Sequence, residues 1–291
     1  RQAEIIVPES NEILIRFDQK ILYLKKIMTS FLEKKKNEVI IFKNRLPDIR
    51  NKINTYFQSL DFFEQKLINE IKKHVVNGQI GGILWSSPNN PSWSCLNDFE
   101  LKEIADICDT NEILAIEDLA YIGMDFRKDY SVPFSEPFIP TIGKYGKNWI
   151  TLISASKAFS FPGPRCAIAI ISPHINEKKY TNLKKFCDRE QFGHAFSLGG
   201  LYVTTSGTSH TAQYGLAKML EAATSGEFNF IEITSEYGRR AEKVKEIFLK
   251  YGFEQVYKKD MDETVGNGFY LTMSYPGYGG NDLMLELLRY G

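Results

Sequence analysis

Apolar residues recur along the chain first at helical spacing and then in short runs that alternate with polar segments. Between residues 21 and 32 the apolar positions follow i, i+3, i+4, i+7 spacing, which predicts an amphipathic helix. An apolar run at residues 39–42 predicts a short buried strand, and residues 60–74 predict a second helix. The Lys-rich N-terminal quarter is therefore expected to contain two helices and one strand.

From residue 80 onward, strand-like and helix-like segments alternate. Strands are predicted at residues 80–85, 113–116 and 150–154, and a helix at residues 97–108. Asn97 is expected to begin this helix, with Glu100 three residues later in a capping box. Strands that alternate with helices indicate an α/β fold with a mostly parallel sheet flanked by helices.

The segments after residue 164 complete the expected architecture. Residues 165–171 predict a strand that is antiparallel to its neighbour, because the preceding loop is too short for a helical crossover. The pattern also predicts helices at residues 177–191, 209–223, 230–251 and 281–290. It predicts one further strand at residues 268–273.

Near Gly226 the alternation of short strands and helices gives way to one long predicted helix. This change in pattern predicts two domains. We expect a large domain over residues 1–225 and a smaller α+β domain over residues 226–291. The sequence begins at Arg1 rather than Met and stops at Gly291 directly after a helical pattern. We therefore expect it to be part of a longer protein.

Composition and charge argue against several classes of function. Lys+Arg and Asp+Glu both number 36, so the basic excess needed for general nucleic-acid or membrane-surface binding is missing. No apolar run approaches the length of a membrane-spanning helix. The histidines and cysteines lack metal-ligand spacing, so no metal site is expected. Cys108 and Cys166 lie in apolar contexts and are expected to be reduced, as in a cytoplasmic protein.

Candidate chemistry is concentrated in residues 154–165, which read SASKAFSFPGPR. Lys157 follows Ser154 and Ser156 and precedes Arg165 by eight residues. Burial disfavours the charged form of a lysine and favours the free amine that attacks a carbonyl. The hydroxyls and the arginine suit a bound phosphate. A lysine amine beside phosphate-binding groups suits a cofactor that carries both an aldehyde and a phosphate. Pyridoxal phosphate is such a cofactor, and proteins hold it as a lysine Schiff base.

Polar residues also follow two other predicted strands. Asn90 lies in the turn after the first strand, and Asp118 and Tyr121 follow the second. Ligands of open parallel sheets bind at the carboxyl ends of the strands, so these residues and Lys157 are expected to converge on one edge. Asp118 can pair with a pyridinium nitrogen, while Asn90 and Tyr121 can hydrogen-bond a phenolate oxygen. Taken singly, each also has an ordinary interpretation as a turn, capping or loop residue.

These residues resemble motifs of the class I and II aminotransferases, a family of pyridoxal-phosphate enzymes of fold type I. The similarity runs from about residue 78 to residue 291. The segment PNNPSW is similar to the family's Asn-Pro-(Thr/Asn)-Gly turn, with Trp93 in place of glycine, and it implies that Asn90 contacts the ring oxygen of the cofactor. The segment EDLAY resembles Asp-x-x-Tyr, which implies Asp118 at the pyridine nitrogen and Tyr121 at the ring oxygen.

The Ser-x-Ser-Lys segment and its later arginine resemble the family's lysine motif. This implies that Lys157 is the Schiff-base lysine and general base, with Ser154 and Arg165 at the phosphate. The complete cofactor-binding set predicted from the sequence is Asn90, Asp118, Tyr121, Ser154, Ser156 and Arg165.

The resemblance implies transfer of an amino group between an amino acid and a 2-oxo acid by a homodimer. Two features of the family are not found: the phosphate-cupping loop is not recognisable in residues 1–75, and the arginine that binds the substrate carboxylate is expected beyond Gly291. Two alternatives stay open. One is a pyridoxal-phosphate lyase or decarboxylase of the same fold, and the other is a sensor module that binds the cofactor without turnover.

Overall fold

The computed structural model describes residues 63–76, 78, 80–261 and 263–290. The helix predicted at residues 21–32 and the strand predicted at 39–42 lie outside these residues. The first described element, helix α1 (Phe63–Val75), agrees with the second predicted helix. It packs through Ile68 and Val75 against helix α2 (Asp98–Thr110), so the two helices share one apolar cluster.

A four-stranded sheet organises the large N-terminal part of the described chain. Its strands lie in the order β1 (Gly82–Ser86), β2 (Leu114–Asp118), β3 (Trp149–Ser154) and β4 (Ala167–Ile171). As predicted, β1, β2 and β3 run parallel to one another, and β4 runs antiparallel to β3. Ser86, Asp118 and Leu152 are in register, so the carboxyl ends of the three parallel strands meet at one edge.

Helix α2 begins as its sequence predicts. The Asn97 side chain accepts a hydrogen bond from the Glu100 amide at 2.9 Å, and the Glu100 carboxylate accepts one from the Asn97 amide at 3.0 Å. Its apolar face contributes Leu101, Ile104 and Cys108 to a cluster that extends beneath the sheet. The capping box therefore sets the start of a helix whose packing supports β2.

Residues 177–191 do not form the single helix that the sequence predicts. The chain there turns through short pieces because Lys178 adopts an extended conformation, Lys179 forms a β-bridge with Gln191, and Asp188 lies in the left-handed region. The pieces between β4 and the next long helix are helical turns at Pro173–Glu177, Lys184–Cys187, Phe192–His194 and Val203–Thr205, a 3-10 turn at Thr181–Leu183, and a π-helical segment at Ala195–Tyr202.

Three long helices in the C-terminal part agree with the prediction. They are α3 (His210–Ser225), α4 (Phe230–Lys250) and α5 (Gly280–Arg289). Helix α3 packs Ala212 and Leu216 into the cluster beneath the turn that follows β3. The predicted domain boundary falls between α3 and α4, and the division into two domains stays a prediction.

The strand predicted at residues 268–273 is wrong over most of its length. Only its last residue belongs to a strand, β8 (Met273–Ser274), which pairs with β5 (Glu254–Gln255). A separate hairpin joins β6 (Lys259–Asp260) to β7 (Glu263–Thr264). Residues 268–270 instead pack against an aromatic cluster near β2, and this contact replaces strand pairing.

The described chain is thus an α/β protein with a mixed, mostly parallel sheet flanked by helices and with small C-terminal sheets. Within residues 63–290, apart from the three that are not described, no helix has both the length and the apolar character needed to cross a bilayer.

Candidate functional site

Asp118 ends strand β2 at the shared carboxyl edge of the parallel strands. Its Oδ1 accepts a hydrogen bond from the Ala120 amide at 2.9 Å, and this turn holds the half-buried carboxylate at the end of the strand. Among the described residues, no lysine, arginine or histidine forms an ion pair with Asp118. Within the part of the chain that is described, the Asp118 carboxylate therefore has no fixed cation beside it.

Asn90 and Tyr121 meet at this edge. The Asn90 amide nitrogen donates a hydrogen bond to the Tyr121 hydroxyl at 3.4 Å, and that hydroxyl donates one to the hydroxyl of Tyr270 at 3.3 Å. Burial and the hydrogen bond to Tyr270 raise the pKa of Tyr121 to about 12, while the Asn90 hydrogen bond acts in the opposite direction. Tyr121 therefore remains a protonated donor at neutral pH.

An aromatic cluster surrounds this pair. The Trp93 indole is 1% exposed, lies 5.1 Å from the Tyr121 ring centroid, and donates a hydrogen bond from Nε1 to the Met124 carbonyl at 3.1 Å. Trp93 has a φ of 62°, the left-handed conformation that glycine adopts most readily. Trp93 therefore has the backbone conformation that glycine favours, at the position where the family's Asn-Pro-(Thr/Asn)-Gly turn has glycine.

Lys157 approaches the same cluster through Phe269. Its Nζ lies 5.7 Å from the Phe269 ring centroid, and that ring lies 6.0 Å from the Tyr121 ring. The half-buried Lys157 sits in a turn whose neighbours Ala155 and Ala158 are buried. Throughout the part of the chain that is described, no carboxylate pairs with its ammonium group. The turn therefore places the Lys157 side chain close to the aromatic cluster.

The predicted phosphate-binding residues lie at the mouth of the β3–β4 hairpin. The Ser156 amide donates a hydrogen bond to the Ser154 hydroxyl at 3.2 Å, and the Ala155 amide donates one to the Cys166 carbonyl at 3.1 Å. Arg165 precedes Cys166, is exposed, and donates a hydrogen bond from Nη1 to the Pro162 carbonyl at 2.9 Å. No hydrogen bond joins Arg165 to either serine in the described structure, so the fold brings these groups to one hairpin without direct contact.

Glu117 is a buried carboxylate that the sequence analysis did not single out. It has no exposed surface and accepts hydrogen bonds from the hydroxyls of Thr141 at 2.6 Å and Thr151 at 3.2 Å and from the Ile142 amide. Burial raises the pKa of Glu117, and the three donors oppose that effect. Because side chains alternate along a strand, Glu117 anchors the opposite face of β2 from Asp118.

An ion cluster beside the site was also missed. Arg127 contacts Asp125 at 2.7 Å and Asp260 at 2.9 Å, and Asp260 also accepts a hydrogen bond from the Cys95 amide at 3.0 Å. These groups line a cavity of about 260 Å³. Burial, with a smaller contribution from Asp125, raises the pKa of the Cys95 thiol. The cluster connects the β6–β7 hairpin to the segments that follow β1 and β2. These segments are far apart in sequence, so no local sequence pattern could predict their contact.

The residues at the strand ends fit pyridoxal phosphate by the chemistry of their side chains. Lys157 supplies an amine without a carboxylate partner in the described chain, Asp118 supplies a carboxylate, and the Asn90–Tyr121 pair supplies hydrogen-bond donors. Ser154, Ser156 and Arg165 supply the groups suited to a phosphate. The set contains at least one group for each polar feature of the cofactor.

A family model described as "Aminotransferase class I and II" matches residues 56–254. A histidinol-phosphate aminotransferase of Chlorobium phaeovibrioides is 31% identical over 117 residues, which cover 40% of this chain and 28% of that protein.

Two solved structures extend the comparison. A single mutant of Thermus thermophilus aspartate aminotransferase shares 20% identity with a TM-score of 0.48 and covers 68% of this chain and 44% of its own. Mycobacterium tuberculosis N-succinyldiaminopimelate aminotransferase shares 15% identity with a TM-score of 0.45 and covers 66% and 40%. The chain thus matches less than half the length of each of these relatives.

Proposed function

The chain belongs to the class I and II aminotransferases, and from this premise we propose that it uses pyridoxal phosphate to move an amino group between an amino acid and a 2-oxo acid. The observation that most supports the proposal is that Lys157 and Tyr121 lie near the same Phe269 ring: the Lys157 Nζ is 5.7 Å and the Tyr121 ring 6.0 Å from its centroid, and Tyr121 is hydrogen-bonded to Asn90. Pyridoxal phosphate requires an amine, hydrogen-bond donors to its phenolic oxygen and a carboxylate for its ring nitrogen. Lys157, the Asn90–Tyr121 pair and Asp118 are candidates for these three roles.

The bound cofactor supplies an electron sink for the reacting carbon of the substrate. In the proposed site, Asp118 would stabilise positive charge on the ring nitrogen, because a nearby carboxylate favours the protonated form. Asn90 would hold the ring oxygen through a hydrogen bond, and Tyr121 would do so once its proton is free of Tyr270. Ser154, Ser156 and Arg165 would hold the phosphate, and Arg165 would add charge-assisted bonds. Each of these roles orients the cofactor without changing its covalent structure.

Lys157 has two roles in this proposal. Its amine would hold the cofactor covalently, and it would also move a proton at the α-carbon of the substrate. The Phe269 ring, 5.7 Å from Nζ, attracts the ammonium form through a cation–π interaction and so limits where the side chain can go. Lys157 is therefore the residue on which the proposed reaction depends most.

The assembly and domain organisation are part of the same proposal. We propose a fold type I large domain over residues 1–225 and a small domain over residues 226–291, in a homodimer. Exposed apolar side chains on the π-helical segment and the turn after it support a subunit contact. They are Leu198, Leu201, Tyr202 and Val203. Sedimentation velocity at several protein concentrations tests the dimer, and a monomer throughout would contradict it.

Reductive trapping tests the cofactor and its attachment together. The protein is incubated with pyridoxal phosphate, reduced with borohydride, digested and analysed by peptide mass spectrometry. We expect the cofactor mass on the peptide that contains Lys157, and its loss in Lys157→Ala. Lys178→Ala is the matched control, since Lys178 is also half-buried and also lies over an aromatic ring, that of Tyr180. Equal trapping in Lys157→Ala and the wild type would contradict the proposal.

A second assay separates transamination from the other reactions that this fold supports. The loaded protein is given a panel of amino acids with a 2-oxo acid, and formation of the new amino acid is measured. We expect transfer that depends on both substrates and is lost in Lys157→Ala. Carbon dioxide or ammonia release without a 2-oxo acid would favour a lyase or decarboxylase. Cofactor attachment without any turnover would favour a sensor module.

A further inference from the structure

Tyr121 directs its only hydroxyl proton toward Tyr270. The Tyr121 hydroxyl accepts a hydrogen bond from Asn90 at 3.4 Å and donates one to the Tyr270 hydroxyl at 3.3 Å. A phenol carries a single O–H donor, so while this bond exists Tyr121 has no proton to offer another acceptor. Tyr270 thereby determines whether another acceptor can receive a hydrogen bond from the Tyr121 hydroxyl.

The position of Tyr270 is determined by the segment that precedes β8. The Tyr270 ring meets Tyr121 edge-on, with centroids 5.9 Å apart and planes at 90°, and lies 6.2 Å from the Trp93 ring. Two residues earlier, the backbone of Gly268 lies against Trp93. Tyr270 is 37% exposed, and in the described structure its hydroxyl has no hydrogen-bond partner other than Tyr121.

We propose that Tyr270 is a positioning residue of the candidate cofactor site and that it acts through Tyr121 by accepting a hydrogen bond from the Tyr121 hydroxyl. Its meaning for the reaction rests on the function proposed above, whereas the hydrogen bond itself belongs to the protein without any ligand. With Tyr270 in contact, Tyr121 holds back its donor. If the segment at residues 268–270 moved away, Tyr121 could donate to the ring oxygen of a bound cofactor. The segment at residues 268–270 would thus affect how strongly Tyr121 stabilises negative charge on the ring oxygen.

Titration of Tyr121 in the cofactor-free protein tests the contact directly. Protein labelled with ¹³C at the tyrosine ζ carbon is titrated by NMR, and Tyr121→Phe assigns the resonance. Burial and the Tyr270 hydrogen bond raise the pKa of Tyr121 to about 12 in the wild type. Loss of a hydrogen bond that favours the neutral form should lower the Tyr121 pKa in Tyr270→Phe by about half a unit to one unit.

Tyr237→Phe is the matched control for this titration. Tyr237 packs on Phe269 with ring centroids 4.2 Å apart, and among the described residues its hydroxyl makes no hydrogen bond. Its removal should leave the Tyr121 pKa unchanged. An unchanged Tyr121 pKa in Tyr270→Phe, or an equal shift in Tyr237→Phe, would overturn the inference.

A double-variant comparison on the loaded protein tests action through Tyr121. The measured quantity is the midpoint of the pH-dependent change in the absorbance of the bound cofactor. Tyr270→Phe frees the Tyr121 proton to stabilise an anionic ring oxygen, so the midpoint should fall, and Tyr121→Phe should raise it. In the Tyr121→Phe background, Tyr270→Phe should have no further effect, and a persistent effect would contradict action through Tyr121.

These two measurements separate the inference from the proposed function. A wild-type protein that binds no pyridoxal phosphate would contradict the proposed function, while the NMR titration would still support the Tyr121–Tyr270 contact. A wild-type protein that binds the cofactor but shows no Tyr270 effect in either measurement would overturn this inference alone.

Discussion

The indole of Trp93 and the backbone of Gly268 are in such close contact that a Cβ built on Gly268 would lie 1.8 Å from a Trp93 ring carbon. No side chain, not even that of alanine, fits there without displacement of the buried indole. The contact joins the turn after β1 to the segment that carries Phe269 and Tyr270. It therefore connects two parts of the candidate site that are far apart in sequence.

Gly268→Ala should destabilise the protein by about 1–3 kcal/mol, the usual cost of overpacking a core. Urea unfolding measures the change. The matched background is Trp93→Phe, whose smaller ring leaves room for the new methyl group. The cost of Gly268→Ala should shrink markedly in that background, because the two changes share one contact. An equal cost in both backgrounds would show that the strain lies elsewhere.

Arg127→Met should destabilise the protein by about 3–5 kcal/mol at neutral pH, because it leaves the carboxylates of Asp125 and Asp260 buried without their cation. Equilibrium unfolding in urea is the measurement. Arg239→Met is the control, since its ion pair with Glu236 at 2.6 Å is exposed and should contribute less than about 1 kcal/mol. Equal losses in the two variants would contradict a special role for the buried cluster.

The deficit of Arg127→Met should also depend on pH. Burial raises the pKa of Asp260 even with Arg127 present, and removal of the cation should raise that pKa further. A carboxyl group with a higher pKa in the folded state binds a proton first in that state, so protonation favours folding. The difference in unfolding free energy between variant and wild type should therefore shrink as pH falls from neutral toward the ordinary aspartate value of 3.8. A constant deficit would contradict this.

Glu117→Gln should change how stability depends on pH. Burial raises the pKa of Glu117 above its ordinary value of 4.5, despite its three donors. The folded state thus binds the Glu117 proton more tightly, and the wild type should gain stability relative to Glu117→Gln as pH falls from neutral toward 4.5. Thr141→Val removes a donor to the carboxylate and should steepen this gain. Parallel pH profiles for all three proteins would contradict the role given to Glu117.

Arg165→Ala should weaken pyridoxal-phosphate binding by about 10- to 100-fold, the loss expected for charge-assisted hydrogen bonds of roughly 1.5–3 kcal/mol. Folding should be little affected, because Arg165 is exposed and its described hydrogen bond is to the Pro162 carbonyl. Titration of the cofactor followed by absorbance measures the affinity. Arg189→Ala, at another exposed arginine, is the control. Unchanged affinity in Arg165→Ala would exclude Arg165 from the phosphate site.

The sequence by itself determined the elements whose signals are local. The capping box at Asn97 and Glu100 identified the start of α2, and short apolar runs identified the three parallel strands. The short loop before β4 was enough to predict its antiparallel direction. It also indicated Asn90, Asp118 and Lys157 as candidates, because polar residues that follow buried strands must converge on one edge of a parallel sheet.

Only the tertiary structure decided the contacts between distant segments. Tyr270 reaches Tyr121 across 149 positions, and the Cys95 amide reaches Asp260 across 165. The helix predicted at residues 177–191 is interrupted by a bridge between Lys179 and Gln191, and the strand predicted at 268–273 gives way to packing on Trp93. Helical and strand periodicity record only which face of an element is buried. The partner that covers that face is chosen by packing in three dimensions, which leaves no pattern in the neighbouring sequence.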